Sequence, residues 1–196
     1  MATVLNLLIF ICTVCCTLTC FRREGTWDVR QGRKVLRFFT LLSNIFSALA
    51  SLLAALLILA GHLPAWAWLL HYISTASVTV TLVTVMVYLG PAAGYKAMLA
   101  GRDLYFHLIG PLLAVISFCF FERWYPMPFP LALTGMLPVI IYGAVYLRKV
   151  VFCPEERRWD DFYGYNRNGR WALSFAAMMM EAFLISLLLW GLCRIG

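Results

Sequence analysis

Six long apolar runs dominate this chain, and each is close to the length that a helix needs to cross a lipid bilayer. A membrane-spanning helix takes about 20 mostly apolar residues, because the hydrocarbon core is about 30 Å thick. Glycine, proline, tryptophan, tyrosine or charged residues flank each run, as is typical of the ends of membrane helices. The sequence therefore predicts an all-α polytopic membrane protein, a bundle of six transmembrane helices. We call them spans 1 to 6 and expect them over residues 2–20, 38–60, 70–90, 104–121, 129–147 and 171–192.

The composition agrees with a membrane location and leaves no room for a separate soluble domain. Of 196 residues, 63% are hydrophobic and only 13% are charged, whereas soluble domains carry about 45–50% apolar and about 25% charged residues. We therefore predict a single integral membrane domain over residues 1–196. No basic residue precedes the first apolar run, so we interpret it as a retained helix and not as a signal peptide.

The basic residues are concentrated in alternate linkers, which predicts the topology. The linkers after predicted spans 1, 3 and 5 hold 14 of the 16 lysine and arginine residues. Because basic linkers usually stay in the cytoplasm, this places those three linkers there and both termini outside, with the cell membrane favoured over an organelle membrane. The net charge of +7 lies beside apolar runs, so we expect membrane lipids as partners and no nucleic acid.

The sequence lacks the signatures of soluble enzymes and of metal or cofactor sites. It contains no GxGxxG, GxxxxGK[ST], HExxH or GxSxG motif. Its seven cysteines lie mostly in or beside apolar runs, which favours packing between helices over a disulfide framework. No set of ligand-type residues has metal-binding spacing. We therefore expect neither a metal nor a cofactor.

Polar side chains inside the apolar runs are informative, because lipid cannot hydrate them. Thr40 and Asn44 lie one helical turn apart on the same face of predicted span 2. Glu181 lies about ten residues into predicted span 6, close to the middle of the membrane. A carboxylate at that depth is costly unless it is paired, protonated or hydrated. For Glu181, a structural hydrogen bond and a functional role both remain open.

The topology brings one threonine and one histidine to the same face. Predicted spans 2 and 4 start from the basic face, by which we mean the membrane face that carries the basic linkers. Thr40 and His107 each lie within a turn of the start of their span, whereas His62 and His71 belong to the opposite face. A threonine hydroxyl is a weak nucleophile until a base accepts its proton, and histidine is suited to that task. We hypothesise a Thr40–His107 pair that attacks a lipid ester. The alternative is that both residues are structural.

Three segments and one tyrosine resemble parts of the androgen-induced membrane-protein family. Residues 36–44 (LRFFTLLSN) are similar to the start of that family's second helix, and residues 107–113 (HLIGPLL) to its helix with histidine followed by proline. Tyr142 and residues 159–165 (WDDFYGY) are loosely similar to segments of its bacterial six-pass relatives. The tyrosine–proline segment expected after span 5 is replaced here by residues 159–162 (WDDF).

The resemblance implies a six-helix membrane hydrolase that uses a threonine nucleophile and a histidine. Some members of the family cleave fatty acid esters of hydroxy fatty acids. Carried onto this chain, the resemblance implies Thr40 as the nucleophile and His107 as the base. We add four candidate substrate-binding residues: Asn44 for the oxyanion, Arg37 and Arg102 for a lipid carboxylate, and Glu181.

Two other functions remain open from the sequence. A small transporter would use Glu181 and the polar face of predicted span 3 as its pathway, although no pair of interrupted helices of the kind found in inverted-repeat transporters is present. A non-catalytic membrane scaffold would use its basic linkers to hold anionic lipid head groups.

Overall fold

Six apolar helices form the structure, a computed structural model that describes residues 1–23 and 25–194. Helices account for 79% of the chain. Within the described residues, six helices are long and apolar enough to cross a membrane. This confirms the predicted all-α, polytopic membrane bundle. The spans are Ala2–Cys20, Phe39–Leu59, Ala65–Ala93, Arg102–Phe121, Phe129–Phe152 and Trp171–Leu192.

Two spans are longer than the hydrophobic pattern predicts. Span 3 begins at Ala65, because Pro64 in extended conformation sets the helix start ahead of the two tryptophans. Span 3 then continues through a π-helical turn, Val85–Leu89, to Ala93. Span 5 continues through another π-helical turn, Arg148–Phe152. Its basic residues suit a helix C-terminus, where the helix dipole favours positive charge.

Short elements connect the spans. In linker 1, strands β1 (Arg22–Arg23) and β2 (Thr26–Trp27) pair antiparallel, and the helix Val29–Val35 follows, capped by the Asp28 carboxylate. Linker 3 contains the helix Tyr95–Met98. Linker 5 contains the 3-10 turns Glu155–Arg157 and Arg167–Gly169. Within the spans, π-helical turns occur at Tyr105–Ile109 and Ser117–Phe121, and a 3-10 turn at Leu133–Met136.

Span 3 occupies the centre of the bundle. In its most apolar stretch, 56% of the residues are buried, compared with 22% in span 1. Spans 2, 4, 5 and 6 all contact it, whereas span 1 packs on the outside against spans 2 and 4. A Cβ added at Gly135 of span 5 would lie 2.8 Å from Ser186 Oγ and 3.0 Å from Ala76 Cβ. Small residues therefore let spans 3, 5 and 6 approach closely.

Hydrogen bonds near the ends of the spans define the two ends of the bundle. At the basic end, which we define as the end that carries linkers 1, 3 and 5, the Arg102 guanidinium donates to the Thr19 carbonyl at 3.0 Å, and the Phe39 amide donates to the Tyr163 hydroxyl at 3.0 Å. These bonds join the start of span 4 to the end of span 1, and the start of span 2 to linker 5. At the opposite end, the Trp68 indole donates to the Glu122 carbonyl at 2.6 Å. Consecutive spans therefore run in alternating directions.

Candidate functional site

A cavity of about 280 Å³ lies between spans 2, 3, 5 and 6 towards the basic end. Its volume is at the small end of ligand-binding cavities, which measure about 300–1,000 Å³. Such a cavity can hold a head group and the adjoining bonds of a lipid, but not whole acyl chains. Its polar groups are hydroxyls and one carboxylate. The non-aromatic ones belong to Thr40, Thr81, Thr84, Ser174 and Glu181.

Thr40 reaches the cavity because it is the second residue of span 2. One turn further along, the Ser43 hydroxyl is 2.9 Å from the Thr81 hydroxyl in span 3, and Asn44 bonds to the Phe106 carbonyl in span 4. Thr40 therefore lies on the side of span 2 that faces between those two helices. Phe38, the N-cap residue of span 2, provides no side-chain cap, so first-turn N–H groups at this helix start could stabilise negative charge.

An aromatic cap, which we define as residues 159–165, covers the cavity at the basic end. Tyr146 is fully buried beneath it, and its hydroxyl donates to Asp161 Oδ1 at 3.0 Å. The two carboxylate oxygens of Asp161 also accept the backbone N–H groups of Tyr165 and Asn166, each at 2.8 Å. One carboxylate thus fixes the cap against span 5.

Tyr163 joins the cap to the start of span 2. Its hydroxyl accepts the Phe39 N–H at the start of span 2 and lies beside the Thr40 side chain. Burial raises the pKa of Tyr163 above its ordinary value, because a buried phenolate would lose its hydration. The hydroxyl therefore stays neutral and keeps a proton that it can donate.

Gly164 permits the cap to cross the cavity closely. Its φ of +67° is the left-handed conformation that favours glycine. A Cβ at this position would lie 2.9 Å from Arg167 Nε and 3.2 Å from the Tyr88 hydroxyl. A larger residue would therefore be strained and would push against both neighbours.

Glu181 lies in the same cavity as Thr40. Its Oε1 accepts the Thr84 hydroxyl at 2.8 Å, and the side chain is half-buried. Among the residues that the structure describes, Glu181 forms no ion pair, and Oε2 has no hydrogen bond. The carboxylate therefore has one oxygen available for a ligand.

His107 does not line the cavity, and no hydrogen bond joins it to Thr40 in the described part of the chain. Its Nδ1 is 2.6 Å from the Met98 carbonyl oxygen. A carbonyl can only accept a hydrogen bond, so Nδ1 carries a proton. In the neutral ring, Nε2 is then the proton acceptor, which is the form a general base requires.

Asn44 connects the segments that carry Thr40 and His107. Its side-chain nitrogen donates to the Thr40 carbonyl at 2.8 Å and to the Phe106 carbonyl at 3.0 Å. The residue before His107 is thereby held against the first turn of span 2. Both donors of the Asn44 amide are used in this link.

The two candidate arginines lie outside the cavity. The Arg37 guanidinium lies 5.5 Å from the centre of the Trp159 ring, on the outside of the aromatic cap. Arg102 donates to the Thr19 carbonyl in span 1. No lysine, arginine or histidine is among the residues described as lining the cavity. Glu181 is the one residue with a carboxyl side chain among those described as lining the cavity.

A second polar cluster, at the opposite end, escaped the sequence analysis. It joins His71 and Glu122 with Asn6, Ser51 and Ser117, and all five side chains are buried. Two of its members could have been noticed in the sequence, because Asn6 in span 1 and His71 in span 3 are polar side chains inside apolar runs. Glu122 directly follows span 4, where the sequence alone suggests a solvated linker.

The structure thus places two of the predicted site residues, Thr40 and Glu181, in one cavity, beneath a cap built from linker 5. It attaches His107 to linker 3 and uses Asn44 to join spans 2 and 4. No protein-family model, no curated protein and no solved structure matches this chain.

Proposed function

We propose that this protein is an intramembrane lipid-ester hydrolase with Thr40 as its nucleophile and His107 as its base. The observation that carries the proposal is the position of Thr40, which lines a cavity between membrane spans. A lipid could enter such a cavity directly from the bilayer. The resemblance of residues 36–44 and 107–113 to a family of threonine hydrolases supports the same activity.

In the proposed reaction, the Thr40 hydroxyl oxygen attacks the ester carbonyl carbon, and His107 Nε2 accepts the hydroxyl proton. The carbonyl oxygen becomes an oxyanion, for which the Tyr163 hydroxyl and the start of span 2 offer donors. Collapse of this intermediate breaks the ester bond, and the imidazolium protonates the leaving alcohol. Water then attacks the acyl-threonine, and His107 accepts a proton from that water. His107 returns the proton to the Thr40 oxygen as the fatty acid is released.

The proposal requires His107 to reach Thr40 when an ester is bound. Catalytic hydrogen bonds are often long or absent without substrate, and one water can bridge the two groups. The Asn44 link holds the residue before His107 against the first turn of span 2, which favours an approach of the His107 side chain to Thr40.

Three variants test the hydrolase. Purified Thr40→Ala, Thr40→Ser and His107→Ala proteins are assayed for release of fatty acid from a panel of lipid esters that includes fatty acid esters of hydroxy fatty acids. We expect the two alanine variants to lose turnover by at least about 100-fold, since a positioned base or nucleophile contributes that much. Thr40→Ser should retain part of the activity.

Matched controls are available outside the cavity. Thr134→Ala removes a threonine hydroxyl that, among the described residues, bonds only to the Leu131 carbonyl of its own span, and His62→Ala removes an exposed histidine. Mass spectrometry after fluorophosphonate treatment should find the adduct on Thr40. Unchanged turnover and labelling in Thr40→Ala would refute the proposal.

Glu181 supports a second candidate function, a small transporter. A carboxylate that faces a cavity within a membrane span can carry a proton or bind a cation. Proton-coupled flux in liposomes that disappears in Glu181→Gln but persists in Thr40→Ala would favour transport over hydrolysis.

We also propose that the protein lies in the cell membrane with linkers 1, 3 and 5 in the cytoplasm. The concentration of basic residues in those linkers supports this orientation. An epitope inserted at Asn168 in linker 5 should be stained only after the cells are permeabilised. Staining of intact cells would show the reverse orientation.

A further inference from the structure

The chemistry of the cavity lining selects between classes of lipid head group. Within the described residues, the lining offers one carboxylate and several hydroxyls, and no cationic side chain. A substrate with a free carboxylate would bring a second negative charge beside Glu181. A substrate with a positive charge would neutralise it.

Glu181 is a partly buried carboxyl group that has no cationic partner among the described residues. It lies in the interior of span 6, where an isolated carboxylate is costly. Its only hydrogen bond in the described part of the chain comes from the Thr84 hydroxyl. A bound cation would compensate for the burial of the charge, as buried ion pairs do when their geometry is good.

The other walls of the cavity suit a weakly hydrated cation. Four tyrosines line it: Tyr88, Tyr142, Tyr163 and Tyr165. The Tyr142 and Tyr163 rings are 6.4 Å apart and nearly perpendicular, and the Tyr163 and Tyr165 rings are 6.2 Å apart in a similar arrangement. Aromatic faces attract cations, and aromatic cages are a recurrent way of binding quaternary ammonium groups.

The cap holds these rings in place. Tyr146 lies behind them, with its ring centre 5.3 Å from that of Tyr163 and 5.2 Å from that of Tyr165. Asp161 fixes the backbone of the same segment through the Tyr165 N–H. A preorganised cage loses little side-chain entropy when a ligand binds.

We infer that the cavity binds the quaternary ammonium head group of an amphiphile, with the cation between Glu181 and the tyrosines. What this implies for the substrate rests on the proposed function: with the head group bound at Glu181, the ester of the same molecule would lie near Thr40. The substrate class is therefore an ester lipid with a trimethylammonium head group, and not one with a free carboxylate.

Binding of simple amphiphiles tests this inference without any turnover. The purified protein in a maltoside detergent is titrated with decyltrimethylammonium and, separately, with decanoate, and heat release is measured. We expect the ammonium compound to bind at least about tenfold more tightly than decanoate. Glu181→Gln should lower ammonium affinity by about tenfold or more. This variant keeps the shape of the side chain and an oxygen that can accept the Thr84 hydroxyl.

Two further variants separate charge from aromatic contact. Tyr165→Ala should weaken ammonium binding, whereas the exposed control Glu155→Gln in linker 5 should not change it. Equal or tighter binding of decanoate, or wild-type ammonium affinity in Glu181→Gln, would overturn the inference.

The two proposals fail in different ways. Loss of ester turnover in Thr40→Ala tests the hydrolase, whereas loss of ammonium affinity in Glu181→Gln tests the head-group site. If ammonium binding holds while no ester is cleaved by the wild-type protein, the hydrolase is wrong and the head-group site stands. If esters are cleaved without preference for an ammonium head group, the hydrolase stands and the head-group site is wrong.

Discussion

His71 and Glu122 form a hydrogen-bonded pair with no solvent-exposed side-chain surface, and His71 Nδ1 is 2.7 Å from Glu122 Oε2. Ser117 and Asn6 donate to the other carboxylate oxygen at 2.7 and 2.9 Å. Ser51 Oγ is 3.2 Å from His71 Nε2. The pair thus links spans 1 to 4 at the end of the bundle opposite the cavity.

Removal of the Glu122 carboxylate should destabilise the protein strongly. Glu122→Ala leaves His71, Asn6 and Ser117 without their buried partner, which typically costs about 3–5 kcal/mol. Thermal unfolding in detergent measures the effect. The control Glu156→Ala removes an exposed carboxylate of linker 5 and should change stability little. Similar melting temperatures for the two variants would contradict a structural role for the pair.

The same carboxylate should make stability depend on acid pH. Burial opposes ionisation of Glu122, but His71 and the hydrogen bonds from His71, Ser117 and Asn6 together lower its pKa. A depressed carboxyl pKa contributes stability that is fully present above the unfolded value of about 4.3 and is lost as the pH falls through the folded value. The advantage of the wild type over Glu122→Gln should therefore shrink below about pH 4. If the difference in stability between the wild type and Glu122→Gln stayed constant throughout the acid range, the prediction would be wrong.

Asn44→Ala should weaken the junction between spans 2 and 4. The variant loses two hydrogen bonds to backbone carbonyls, each worth about 1 kcal/mol, and releases the segment that carries His107. We expect a lower melting temperature and lower ester turnover. Ser47→Ala is the matched control, because it truncates a buried side chain one turn deeper whose hydroxyl has no partner in the described structure. Equal effects of the two variants would exclude a specific role for the Asn44 link.

Gly164→Ala should loosen the aromatic cap. A left-handed φ costs a residue with a Cβ about 1–2 kcal/mol, and the new atom would also press on Arg167 and Tyr88. Decyltrimethylammonium affinity and the melting temperature should both fall. In Gly191→Ala the added methyl group meets open space, and the helical position favours alanine, so stability should be kept or raised. A Gly164→Ala protein with wild-type affinity would show that the cap geometry does not control the cavity.

The hydrophobic pattern alone was enough to predict the six spans and their order. In lipid, the backbone N–H and C=O groups of each apolar run must hydrogen-bond to each other, which a helix achieves. Only the ends of spans 3 and 5 differ noticeably from the predicted bounds. The high cost of polar groups in lipid also drew attention to Thr40 and Glu181, both of which line the cavity. These predictions depend on local composition and depth, which a single sequence contains.

Only the tertiary structure decided which polar groups meet. His71 was correctly placed at the face opposite Thr40, but its partner Glu122 was not foreseen, because a charged residue just after a span usually stays in water. Linker 5 folds back as a cap, which depends on Tyr146 and Asp161 meeting across 15 positions in the sequence. The rotation of each helix and the path of each linker are set by packing between distant segments, and no single apolar run carries that information.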